Sequence, residues 1–121
     1  MADEIQVTFS LKSTLTGESP IKIEPGIRKY DKAAVGKFST TNSIAITEES
    51  IATFGDLTTE GWCVIENLDS TYNVDIGFST AVYGITLKPR EVNFFRFKPG
   101  ITLYLLAYTA PCIVDIQVLE D

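Results

Sequence analysis

Histidine is absent from all 121 residues of the chain. Its absence excludes Ser-His-Asp and Cys-His catalysis, histidine general-base chemistry and every metal site that needs an imidazole ligand. An enzyme without histidine would have to use a mechanism based on paired carboxylates. The acidic residues lie near turns or on polar strand faces, where solvated surface charge is the simpler interpretation. We therefore expect a protein that is not an enzyme and that uses no cofactor or metal.

Cysteine is nearly absent as well, with only Cys63 and Cys112. Two thiolates are too few for a zinc site of cysteines alone. Because apolar residues flank both positions, the sequence predicts two buried, reduced thiols that act as small hydrophobic side chains. A structural disulfide is the alternative, and it would require suitable geometry and an oxidising compartment.

Long apolar runs and clustered basic residues are also missing. No stretch approaches the roughly 18 apolar residues that mark a membrane-spanning helix, and the acidic N-terminus does not resemble a signal peptide. The ten Lys and Arg residues are scattered among sixteen Asp and Glu, with a net charge of −6. A phosphate-binding surface needs clustered cations. We expect neither a nucleic-acid nor a membrane partner, and synthesis in a cytoplasm.

What the sequence does contain is strand-like alternation punctuated by turn residues. Ile5, Val7, Phe9 and Leu11 alternate with polar residues, as in a strand with one dry face. Further strands are predicted at 21–23, 62–66, 72–78, 82–87, 92–97, 102–108 and 113–119. We predict an all-β fold, an antiparallel β-sandwich or jelly roll of about eight to ten short strands, with residues 1–121 forming one domain.

The middle of the first half is less regular. The pattern predicts one strand near residues 34–39 and a second near 43–47. Residues 47–51 suit either one helical turn capped by Thr47 or an irregular link into a strand at 51–54. The fold is expected to contain at most this one helical turn.

Three polar residues near one turn invite two interpretations. Asn67, Asp69 and Asn73 are close enough in sequence to converge on a calcium ion, which prefers oxygen ligands. Asn and Asp are also the ordinary residues that satisfy backbone groups in turns. The turn interpretation is the simpler one.

The aromatic residues also allow two interpretations. Tyr30, Tyr83, Tyr104 and Tyr108 could stack on sugars in a carbohydrate-binding module. The alternative places the larger aromatics in the core, with tyrosine hydroxyls at its edge. The core set is then Trp62, Phe78, Phe95 and Phe97.

Two segments are candidates for protein–protein contact. The predicted strand at residues 3–11, with Ile5, Val7 and Phe9 on one face, could add to the sheet edge of another chain or complete its own sheet. In the strand at 102–108, Tyr104 and Tyr108 share one face with Thr102 and Leu106. The other face is also apolar and consists of Leu103, Leu105 and Ala107. A strand that is apolar on both faces indicates core on one side and an oligomer interface on the other.

About the C-terminal two-thirds of the chain resembles small virion-associated proteins of tailed bacteriophages, and the first forty residues add little. The resemblance begins in the stretch 55–62, a "G-D-x-T-T-x-G" turn that leads through Gly61 and Trp62 into a strand, followed by an "N-L-D" motif at Asn67 and Asp69. It continues in the segments 74–77, 87–91, 95–97 and 119–121. Two positions depart from the pattern, since Arg90 stands where Gly is more common and Glu60 where Pro is usual.

The resemblance implies a structural component of a phage particle. The expected function is that of a capsid decoration or cement protein; a head–tail or tail component and a carbohydrate-binding β-sandwich module are the alternatives. The implied partners are the major capsid protein or other virion proteins. The protein is expected in the virion after synthesis in the host cytoplasm, and as a homo-oligomer, either a trimer or a dimer. Its motifs are turn and core motifs, and they carry no catalytic residue.

Overall fold

A computed structural model describes residues 5–13, 17, 21–30 and 36–120. These residues contain twelve β-strands and no helix, which confirms the all-β prediction. The strands are β1 (Ile5–Val7), β2 (Leu11–Ser13), β3 (Ile21–Ile23), β4 (Arg28–Tyr30), β5 (Lys37–Ile44), β6 (Glu49–Ile51), β7 (Glu60–Asn67), β8 (Val74–Gly77), β9 (Ile85–Leu87), β10 (Val92–Arg96), β11 (Leu103–Ala107) and β12 (Cys112–Glu120).

The chain divides into two compact units, residues 1–33 and 34–121. The first unit contains β1 to β4 and the second contains β5 to β12. The expectation of a single domain stays a prediction.

The first unit is a β-hairpin with two short ladders. β1 pairs antiparallel with β4, from Ile5 opposite Tyr30 to Val7 opposite Arg28. β2 pairs antiparallel with β3, with Leu11 opposite Ile23. Between the ladders, residues 8–10 of the first limb face the four residues 24–27 of the second, and the pairing register therefore shifts by one residue.

The second unit is a sandwich of two four-stranded antiparallel sheets, in the orders β10-β7-β12-β5 and β6-β11-β8-β9. The pairings are nested, because β5 pairs with β12, β6 with β11, β7 with β10 and β8 with β9. Successive pairs alternate between the two sheets. This is the connectivity of a jelly roll, one of the two alternatives that the strand pattern predicted.

The core lies between the two sheets and contains side chains from both. Alternate residues point inward along the central strands, as the period of a strand requires. The buried apolar residues are Ile44, Phe54, Cys63, Ile65, Val74, Ile76, Leu87, Phe97, Leu103, Leu105, Ala107, Cys112, Val114, Ile116 and Val118. Full burial of a single Ile or Leu side chain contributes about 1.5–3 kcal/mol, so this layer accounts for the cohesion of the sandwich.

A β-bulge interrupts the pairing of β7 with β12. Cys63 is opposite Val118 and Glu60 is opposite Glu120, so Gly61 and Trp62 together oppose one residue of β12. An extra residue of this kind bends a strand and redirects side chains. The Gly61–Trp62 motif of the sequence is therefore the site where β7 changes its course.

Three strand predictions differ from the structure. The predicted strand at 3–11 is divided into β1 and β2, and its first two residues lie outside the described part. Facing this break are Pro25, which has no N–H to donate, and Gly26, which has a positive φ of 84°. The predicted strands at 34–39 and 43–47 are replaced by one strand, β5, which β12 pairs continuously. Residues 34–35 lie outside the described part, and residues 45–47 are not in a strand.

The expectation for residues 47–51 was also wrong in detail. Neither a helical turn nor a strand at 51–54 forms, because residues 49–51 pair with β11 as strand β6. The short strand β4 was not predicted at all. These additions raise the strand number above the predicted eight to ten.

Candidate functional site

The N-terminal hairpin, which we define as strands β1 to β4 with residues 8–10 and 24–27 between them, presents apolar side chains to solvent. Leu11 and Ile23 are directly opposite each other and are 59% and 47% exposed. Phe9 and Ile27, which lie in the break between the ladders, are 40% and 58% exposed. Ile5 and Val7 lie in β1, which pairs with β4 of its own hairpin. Of the two expectations for this segment, pairing within its own sheet is the one that the structure contains.

Phe9 lines a cavity of about 340 Å³ in the break of the hairpin, together with Ile27 and Glu24. The hydroxyl of Ser10 donates a 3.2 Å hydrogen bond to Glu24 across the break. Phe9 therefore belongs to a concave apolar surface and not to a strand.

The opposite face of the hairpin is basic. Lys12 is opposite Lys22, and Lys29 is opposite Gln6. Like charges directly across a ladder are unfavourable. An exposed ion pair of 3.2 Å between Lys22 and Glu24 offsets this only slightly. The hairpin is thus amphipathic, with apolar and basic sides.

The second apolar surface is the tyrosine face, which we define as Tyr104, Leu106, Tyr108 and Ile46. Leu103, Leu105 and Ala107 of β11 are buried, while Tyr104 and Leu106 between them are half-buried on the outer side. Tyr108 and Ile46 are 58% and 56% exposed. The expected division of β11 into a core face and an outer apolar face is confirmed, and the contact made by the outer face stays a prediction.

A shallow cavity of about 200 Å³ belongs to the tyrosine face. Ile46, Leu106 and Tyr108 line it together with Thr109, which has a positive φ of 76°. The apolar walls and the phenol at the rim suit an apolar side chain of a partner with one polar group.

The third apolar surface is the tryptophan face, which we define as Trp62, Val64, Val92 and Phe94. These residues alternate with inward-facing residues of β7 and β10. Phe94 is opposite Val64, and the rings of Trp62 and Phe94 are 6.1 Å apart. Glu66 lies on the same face, opposite Val92.

The prediction that Trp62 lies in the core was therefore wrong. The bulge and the strand period place it on the outer side of the sheet, where it is half-buried. A signal was present in the sequence, since both alternating faces of residues 62–66 are mainly apolar. Phe97 is buried as predicted and Phe95 packs against the core, whereas Phe78 is 42% exposed.

Phe78 forms one wall of a cavity of about 270 Å³ at the end of the sandwich. Phe95 and Phe97 line it, with Arg96 and Lys98 at the polar side. The rings meet edge to face, with centroids 5.0–6.3 Å apart. Such contacts stabilise the aromatic cluster beyond the area that it buries.

The Asn67–Asp69 motif supports the turns at one end of the sandwich. The amide of the buried Asn67 donates hydrogen bonds to the carbonyl oxygens of Tyr72 and Leu87, at 2.9 and 3.1 Å. The carboxylate of Asp69 accepts from the backbone N–H groups of Thr71 and Tyr72, at 2.8 and 2.6 Å. These two hydrogen bonds, that from Tyr72 first, lower the pKa of Asp69. The turn interpretation is confirmed for Asn67 and Asp69.

Both cysteines are buried and free, as the simpler interpretation predicted. Burial raises the pKa of Cys63 to about 12. Burial and, to a smaller degree, the charge of Asp69 raise the pKa of Cys112. The thiols are held in the protonated form at neutral pH, which makes them poor nucleophiles.

Glu48 forms hydrogen bonds with the loop between β8 and β9. Its carboxylate accepts hydrogen bonds from the hydroxyl of Tyr83 and, at 2.7 Å, from the backbone N–H of Ala81. The bond to Glu48 raises the pKa of the Tyr83 phenol to about 12. Tyr83 is thus committed to a structural contact and does not extend the tyrosine face.

Within the described ranges, no group of three His, Cys, Asp or Glu side chains could hold a metal ion. The same residues contain no helix of the length and apolarity that crossing a membrane requires. No protein-family model matches the sequence, and no curated protein or solved structure matches it significantly.

Proposed function

We propose that this chain is a structural accessory protein of a phage particle, a capsid decoration or cement protein that stabilises the assembled shell. One observation carries the proposal: a jelly roll with a complete core also presents apolar side chains on the outer faces of both sheets. Val64, Val92 and Ile113 are exposed on one face, and Ile46 and Tyr108 are exposed beside the other. Apolar surface beyond the needs of a monomer marks sites of association.

Two further arguments support this assignment. The segments 55–62 and 66–71 resemble those of virion-associated phage proteins, and jelly rolls recur in viral capsid proteins. Fold similarity alone does not assign function, since the same architecture also occurs in lectin domains and cupins. The outer apolar faces are the feature that favours an assembly role.

In this role the protein binds the assembled lattice of the major capsid protein and not the free subunits. By mass action, a ligand that binds only one state stabilises it by RT ln(1 + [L]/Kd), about 2.7 kcal/mol at a hundred times the Kd. A homo-oligomer with several docking surfaces would strengthen weak individual contacts. The tyrosine face, with its cavity, is the surface that we assign to the shell.

The test is co-sedimentation of the full chain with the purified capsid shell of its phage. We expect binding at a fixed ratio to shell subunits and a roughly tenfold weaker Kd for Tyr108→Ala. The matched control is Tyr72→Ala, because Tyr72 is exposed but lies outside the tyrosine face.

If the chain does not bind the shell, the decoration proposal is wrong. Binding to purified tails or head–tail connectors in its place would assign the protein to those parts of the particle. Binding on a glycan array without binding to any particle would favour a carbohydrate-binding module.

A further inference from the structure

Strand β5 lies at the edge of its sheet and is the longest edge strand of the sandwich unit. It has eight residues, whereas the other edge strands, β6, β9 and β10, have three, three and five. β12 pairs with all eight residues of β5 without a bulge. A long and regular edge presents a row of backbone groups with which a further strand can pair.

The odd-numbered residues of β5 direct their backbone groups away from β12. The N–H of Glu120 donates a 2.9 Å hydrogen bond to the carbonyl of Gly36, and hydrogen-bonded positions alternate along an antiparallel ladder. The even-numbered residues of β5 therefore bond to β12. The outward groups are the N–H and C=O groups of Lys37, Ser39, Thr41 and Ser43. All four residues are exposed, and within residues 36–120 no backbone hydrogen bond reaches these groups from the outer side.

The β5 edge has few of the features that keep edge strands from pairing. It contains no proline, and its one charged residue is Lys37 at its first position. Residues 34–121 together contain eleven acidic and five basic residues, so two copies of the sandwich unit repel each other over most of their surface. The β5 edge carries no carboxylate and allows two copies to approach.

One antiparallel register makes the side chains of β5 complementary to those of a second β5. A two-fold axis perpendicular to the sheet at Thr41 places inward side chains opposite inward side chains. Phe38 then lies opposite Ile44 of the second copy, which forms one apolar pair on each side of the axis. Thr40 lies opposite Asn42, and both side chains can form hydrogen bonds. An axis at Thr40 would instead place the ring of Phe38 opposite the amide of Asn42.

The same register aligns the outward backbone groups of the two strands. Ser39 lies opposite Ser43 of the second copy, and Thr41 lies opposite its own counterpart. These pairs exchange about six N–H···O=C hydrogen bonds in all, because each hydrogen-bonded pair of an antiparallel ladder exchanges two.

The acid beside the axis does not oppose this contact. Asp115 of β12 lies opposite Thr41, whose hydroxyl donates a 2.9 Å hydrogen bond to its carboxylate. In the paired sheets the two Asp115 residues would be three strand spacings apart, roughly 14 Å at about 4.8 Å per spacing. This separation exceeds the screening length of about 8 Å at physiological ionic strength.

We infer that strand β5 of one copy pairs antiparallel with β5 of a second copy, with Thr41 on the two-fold axis, so that two four-stranded sheets become one sheet of eight strands. The contact uses the same edge of both copies and therefore closes as a dimer. It supplies the self-association that the decoration role uses, but it does not depend on the identity of the particle.

Disulfide cross-linking of the full chain tests the position of the axis. Opposite residues of a hydrogen-bonded pair have Cα atoms about 5.5 Å apart, a distance that a disulfide spans. The matched control for Thr41→Cys is Thr86→Cys. Both threonines are exposed on edge strands, and Thr86 likewise donates a 2.8 Å hydrogen bond to an aspartate of the neighbouring strand.

Under mild oxidation we expect the Thr41→Cys chain to form a covalent dimer at least about tenfold faster than the Thr86→Cys chain, as followed on non-reducing gels. Equal rates in the two chains would overturn the inference.

A mixture of two variants tests the register. Ser39→Cys and Ser43→Cys chains should cross-link with each other, because these positions lie opposite. Neither chain should cross-link with itself, since its two copies of the substituted position are about four residues apart, roughly 13 Å along the strands. Cross-linking of either chain alone that is as fast as in the mixture would refute the register.

Sedimentation equilibrium tests the contact without a covalent bond. We expect the wild-type chain to form a dimer, and we expect Thr41→Lys to weaken its association about tenfold, because two like charges would lie directly opposite each other. Thr86→Lys is the control and should leave the dimer unchanged. A monomeric or trimeric wild-type chain, or equal effects of the two substitutions, would show that the β5 edge does not pair in this way.

The outcomes also separate this inference from the proposed function. A chain that dimerises through β5 but does not bind the shell would retain the β5 contact and lose the decoration role. A monomer that binds the shell would have the opposite meaning. Hydrogen exchange identifies the alternatives for the amides of Ser39, Thr41 and Ser43. Protection in a monomer would mean that the chain covers its own edge, and protection only after shell is added would assign the capsid as the partner; either result would overturn the inference.

Discussion

The side-chain amide of Asn67 donates a 3.1 Å hydrogen bond to the backbone carbonyl of Leu87, although the two residues are twenty positions apart. Both are buried, with exposures of 0% and 3%. The same amide reaches the carbonyl oxygens of Tyr72 and Lys88, and its own oxygen accepts from the N–H of Asp69. One side chain therefore joins the end of β7 to the turns that precede β8 and follow β9.

Replacing Asn67 with Asp keeps the shape of the side chain and removes its N–H donors. A carboxylate would then face three carbonyl oxygens in a buried site. We expect a loss of about 2–4 kcal/mol in the free energy of unfolding, measured by urea denaturation at neutral pH. The control is Asn42→Asp, because Asn42 is itself exposed in β5, with an expected change below about 0.5 kcal/mol. Equal losses in the two variants would contradict this role of Asn67.

Arg90 occupies a backbone conformation that favours glycine. Its φ is +67°, and its N–H donates a 3.0 Å hydrogen bond to the carbonyl of Asn67. The resemblance to phage proteins indicated this position, since Gly is more common there. Arg90→Gly should relieve the strain of a left-handed side-chain-bearing residue and raise the free energy of unfolding by about 0.5–1 kcal/mol.

Another residue of the same turn supplies the control for Arg90. Lys88 lies in the same turn and does not have a positive φ. Lys88→Gly should therefore lower the free energy of unfolding, because glycine only adds freedom to the unfolded chain. Changes of the same sign in the two variants would show that the φ of Arg90 has no energetic consequence.

Asp69 should make the free energy of unfolding depend on pH in the acidic range. Its pKa is lowered in the folded protein by the backbone hydrogen bonds from Tyr72 and Thr71. A depressed pKa means that the carboxylate stabilises the fold above the unfolded-state pKa of about 3.9, and that this contribution is lost as the pH falls through the lower, folded-state value. We expect Asp69→Asn to reduce stability at pH 7, and we expect this reduction to shrink as the pH falls below the unfolded-state pKa.

The measurement is the free energy of unfolding in urea across this pH range, for the wild type, Asp69→Asn and the control Asp56→Asn. Asp56 lies in an exposed turn. A difference between the wild type and Asp69→Asn that stays constant from neutral to acid pH would rule out the proposed linkage.

The local alternation of polar and apolar residues was sufficient to predict a strand that has one exposed and one buried face. The alternation at 113–119 predicted β12 almost to its ends, and the turn residues Asn67 and Asp69 were assigned to the backbone groups that they satisfy. Periodicity failed where a strand depends on its partner. Strand β5 is polar on its outer side and also carries the polar Thr40 and Asn42 on its inner side, and its eight residues are held together by the pairing with β12.

The sequence by itself determined the all-β class, the absence of histidine chemistry and the burial of both thiols, because composition and the two-residue period of a strand are local properties. Only the tertiary structure decided the nested strand order, the outward position of Trp62 and the division of the chain into a hairpin unit and a sandwich unit. These features depend on which distant strands pair and on a single extra residue in a ladder. Pairing between remote strands produces no periodic pattern in the sequence. The strand order therefore cannot be predicted from periodicity and is seen only in the folded sheets.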